Sequence, residues 1–66
     1  MSDGDAALAN IRRAEVSLNS NVFPLDVSDG VHAALDTARQ ALQHGDHPAA
    51  LAASTLAIRL LADALR

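Results

Sequence analysis

The chain has 66 residues, no cysteine and a formal net charge of −3. Its length allows one small domain, which buries only about 60% of the surface its unfolded form exposes. Without cysteine, disulfides and thiolate zinc sites are excluded, so association with another chain is the remaining common staple for a domain this small.

Half the residues are apolar, with fifteen Ala, ten Leu and one aromatic, Phe23. Ala and Leu are strong helix formers, whereas strands favour β-branched and aromatic residues. The composition therefore predicts an all-α fold. Five Arg and no Lys against eight acidic residues do not suggest the basic face usual in a nucleic-acid-binding module. One aromatic is too few for base-stacking platforms. The start, Met-Ser-Asp-Gly-Asp, is acidic and unlike a secretory signal. No apolar run reaches the roughly 18 residues a membrane span needs. No nucleic-acid partner, no membrane and a cytoplasmic location are the resulting expectations.

A first helix is predicted over about residues 5–18, capped by Asp3 or Asp5. Ala7, Ile11, Ala14 and Leu18 recur at helical spacing, with Leu8 beside them and Arg12, Arg13 and Glu15 largely opposite. Asn19, Ser20 and Asn21 end it, because their side chains compete for backbone hydrogen bonds. A linker over 19–28 follows, and it is unusually apolar: Val22, Phe23, Pro24, Leu25 and Val27. Packing of Phe23 and Leu25 over the bundle end is one expectation; their presentation to a partner is the other.

The second helix is predicted over about 29–44, starting at Ser28 or Asp29. Val31, Leu35, Ala38 and Leu42 form its stripe, thickened by Ala34 and Ala41. Gly45 suits a left-handed helix stop, Asp46 caps a third helix, and Pro48 falls in that helix's first turn. So short a link predicts an antiparallel hairpin.

The third helix, about 47–65, is apolar on most sides: Leu56, Leu60 and Ala64 mark one face, and Leu51, Ile58, Leu61 and Leu65 another. A helix of this kind is buried on most sides, and two short Ala-rich helices cover it poorly. The expectation is a three-helix bundle that dimerises through the third helix and part of the second, or binds a partner protein. The expected interaction residues are Phe23 and Leu25 in the linker. On the third helix they are Leu51, Leu56, Ile58, Leu60, Leu61 and Leu65.

Residues 34–61 resemble the helical hairpin of tetratricopeptide repeats through Ala34, Ala38 and Ala41, then Gly45-Asp46, then Ala50-Leu51 and Ala57-Ile58. This resemblance implies peptide or protein binding. Arg39 and His44 are similar in spacing to the Arg–His signature of HEPN ribonuclease toxins, which implies RNA cleavage by a dimeric helical bundle. Such chemistry needs a proton-transfer group and a cation on the phosphate. The leading expectation remains a non-enzymatic oligomerisation or docking module. In size and helix content it is similar to the docking domains of modular biosynthetic enzymes. A small apolar-ligand carrier is a third possibility.

His44, Asp46 and His47 cluster at the helix junction, but with Gly45 breaking the helix they read as solvated turn residues. No metal site, catalytic residue or cofactor is expected. Serines lack a nucleophile elbow, and the three glycines stand apart rather than in a phosphate loop.

Overall fold

A computed structural model describes residues 2–66. It holds three helices: α1 (Asp3–Ser20), α2 (Leu25–Gln43) and α3 (His47–Ala64). The all-α bundle with a hairpin of α2 and α3 is as expected.

The helix starts differ from the sequence-based expectation. Ser2, not Asp3 or Asp5, caps α1: its Oγ accepts a hydrogen bond from the Asp5 amide at 3.2 Å. Asp3 and Asp5 instead occupy the first turn, where carboxylates suit the helix dipole. At the far end, Asn21 donates from both its backbone N–H and its Nδ2 to the Ser17 carbonyl, each at 3.1 Å. That is the expected competition of a short amide with the helix.

The linker predicted over 19–28 shrinks to Asn21–Pro24. Ser28 and Asp29 lie inside α2 and do not cap it. Pro24 holds the N-cap position with ψ 148°, and its carbonyl accepts from the Ser28 amide at 3.0 Å. A helix can begin immediately after proline because the missing donor would be unpaired there anyway. Asp26 then sits in the first turn.

The α2–α3 junction follows the expected chemistry. Gly45 is left-handed at φ 75°. The Gly45 amide donates to the Leu42 carbonyl at 3.1 Å, and the Asp46 amide to the Ala41 carbonyl at 2.8 Å, the paired bonds of a Schellman stop. Asp46 Oδ1 then accepts from the Ala49 amide at 3.2 Å, so one residue closes α2 and opens α3. Gly45→Ala should lower stability by about 1 kcal/mol, because an L side chain is strained in that conformation. Asp46→Ala should cost a similar amount through the lost cap. Thermal melts of both should shift down by about 4–8 °C. Unchanged melts would mean that another register of the hairpin is available.

Helix α3 is the hub. Both α1 and α2 pack along it, and they touch each other only sparingly. Its buried line is Ala50, Ser54, Ala57 and Leu61; of the two leucine faces expected from the sequence, only Leu61 lies on it. The opposing lines are Gly4, Ala7, Ile11 and Ala14 on α1, and Val31, Ala34, Leu35 and Ala38 on α2. Small residues dominate the lines of α1 and α3 and make up half of that of α2, so the helices approach closely and bury few large side chains. Ser54 fits because its hydroxyl donates to the Leu51 carbonyl at 3.0 Å and accepts from Asn10 Nδ2 at 3.4 Å.

Candidate interaction surface

The eight residues expected to form an interaction surface are divided by the fold. Leu61 is only 3% exposed and belongs to the core, so it is not available to a partner. Phe23, Ile58 and Leu60 pack half-buried against that core. Leu51 is also half-buried. Leu25, Leu56 and Leu65 are exposed. Phe23 and Leu25, expected to share one fate, point to different environments. Phe23 closes the end of the bundle, and Leu25 on the first turn of α2 stands in solvent.

Open depressions mark the surface. One, about 480 Å³, lies on the outer face of α1 and is lined by Arg12, Arg13, Val16, Ser17, Ser20 and Asn21. A groove of about 190 Å³ adjoins it through Arg13 and Ser17, and runs to Ile58, Leu61, Ala62 and Leu65 of α3. No carboxylate lines either one. A third, about 230 Å³, separates α1 from α2 between Leu18, Asn19, His32 and Leu35, and is bridged by Arg39 and Glu15. Arg39 Nη2 donates to Glu15 Oε2 at 2.7 Å, with Asp36 3.6 Å from its other amino group. The Arg39–Glu15 pair is half exposed, so it is worth well under a typical buried ion pair.

The large apolar side chains are most exposed close to the α1–α2 connection: Val16 at 64%, Val22 at 100% and Leu25 at 76%. Val16 escaped the sequence reading because a lone valine among Arg12, Arg13 and Glu15 looks like an ordinary polar face. The residues were readable; their grouping with Ser20 and Asn21 depends on where α1 ends.

The histidines at the α2–α3 junction are exposed. His44 is the C-cap of α2 and His47 the first residue of α3. The His47 ring lies over Gly4 so closely that a Cβ there would sit 3.3 Å from three ring carbons. His47 thus covers the start of α1, a role for which its sequence gives no signal. Among the described residues, no three His, Asp or Glu side chains converge as a metal site. No helix among them is long and apolar enough to cross a membrane.

Compared with known proteins, the chain matches no protein family, no curated protein and no solved structure.

Proposed function

We propose that the chain is a non-enzymatic protein–protein interaction module that acts through its exposed apolar side chains. The observation that carries this reading is the set of large apolar residues left in solvent after the bundle has formed, led by Val22 and Leu25. A bundle with so many alanines in its core has little apolar area to spare, yet these side chains remain outside it. In an interface they would supply burial that the isolated chain lacks.

Light scattering from about 10 μM to about 1 mM tests the reading, across the range where weak interfaces assemble. Mass that rises with concentration, and a variant with Leu25, Leu56 and Leu65 all changed to Ser that stays monomeric and helical, is the expected result. A wild-type monomer throughout, with solubility unaffected by the same three serines, would overturn it, since the exposed leucines would then have nothing to cover.

A further inference from the structure

We infer that the partner is a second copy of this chain, and that the two copies pair through the corner where α1 ends and α2 begins. The inference rests on the interaction-module reading and identifies its partner.

The corner carries two patches of opposite character. The first is the α1 depression, whose lining includes the exposed Val16 together with Arg12 and Arg13. Neither guanidinium has an ion-pair partner among the described residues, whereas Arg39 has two and Arg66 one. The second patch is the start of α2. With Val22 of the preceding connection it presents Leu25 to solvent, and Asp26 and Asp29 of the same helix are exposed as well. Neither carboxylate has a cationic partner among the described residues.

One patch combines apolar and cationic side chains, and the other apolar and acidic ones. They adjoin, because Asn21 lines the first and the next residue, Val22, opens the second. A surface holding two complementary halves side by side is self-complementary under a two-fold axis: each copy's Arg patch covers the other's Asp patch, and the contact closes at two chains. Opposed charges at the rim would set register and partner choice, and the valines and Leu25 would supply the burial. The net charge of −3 per copy opposes pairing of two chains at long range, so attraction has to come from this local arrangement.

Charge reversal tests it, using the full chain and sedimentation at several concentrations. R12E/R13E and D26R/D29R should each weaken self-association by tenfold or more while keeping wild-type helicity. An equimolar mixture of the two should restore pairing, because both contacts carry opposite charges in the mixed dimer: one keeps the native Arg–Asp pairing and the other carries it with the signs exchanged. Because an added cation in the first turn of α2 opposes the helix dipole, D26N/D29N serves as the second variant, and it too should weaken pairing. A dimer indifferent to all these changes but broken by Leu56→Asp or Leu65→Asp would overturn the corner while leaving the module reading intact. A wild-type chain monomeric at every concentration would overturn the second-copy partner. The serine variant's solubility would then decide the module reading separately.

Discussion

Leu35→Ala is expected to abolish cooperative folding at room temperature. Leu35 is 1% exposed and is the largest of the fully buried side chains. It belongs to the cluster formed with Ile11, Val31 and Leu61. Truncating a buried leucine costs about 2–5 kcal/mol, from lost transfer energy and the cavity left behind. A domain below about 70 residues rarely has more than about 3–5 kcal/mol in total. The two magnitudes are equal within their spread, so one substitution can remove the whole margin. Far-ultraviolet circular dichroism should show a weakened helical signal and a broad, non-sigmoidal melt. A cooperative transition within about 5 °C of wild type would mean the core depends far less on this residue, since about 1 kcal/mol moves a small domain's midpoint by 4–8 °C. If the chain pairs as inferred above, the loss should be partly recovered at high concentration, because association stabilises the folded form by mass action.

Ala57→Leu should be nearly as damaging, for the opposite reason. Ala57 is fully buried on the line where α3 meets its two neighbours. Leucine there adds volume where α1 and α2 both press on α3, and over-packing typically costs about 1–3 kcal/mol. Leu and Ala have similar helix propensities, so the change reports on packing and not on helix formation. Ala52→Leu on the exposed side of the same helix is the matched control and should leave the melt unchanged. Equal melts for Ala57→Leu and Ala52→Leu would show that the helices do not approach closely at Ala57, and would remove α3 from the centre of the bundle.

These two residues also show how unevenly the sequence speaks. The stripes of α1 and α2 were legible because each alternates apolar and polar residues, and the hydrophobic period picks one face. Leu35 stands in such a stripe. In α3 the period is silent: with leucine or alanine on nearly every side, no face is preferred by polarity. Large side chains mark two faces, Leu56 and Leu60 on one and Leu51, Ile58, Leu61 and Leu65 on the other, whereas the buried line runs through Ala50, Ser54 and Ala57 and takes in only Leu61 of these. Part of the excess apolarity in α3 is covered from within, because α3 packs against both α1 and α2, while Leu56 and Leu65 stay exposed.

By itself, the sequence determined what depends on neighbouring residues. It specified helix over strand through Ala and Leu, the Gly45-Asp46 stop and start through backbone conformation and capping, and the core faces of α1 and α2 through periodicity. Tertiary structure alone decided which side of α3 is buried, how short the connection from α1 to α2 becomes, and which leucines stay in solvent. The physical reason is one of range. Caps and propensities act over about four residues of chain, whereas the burial of an evenly apolar helix depends on how closely other helices can approach it. That distance is set by the smallest side chains between them, Gly4, Ala14, Ala38, Ala50 and Ala57 among them.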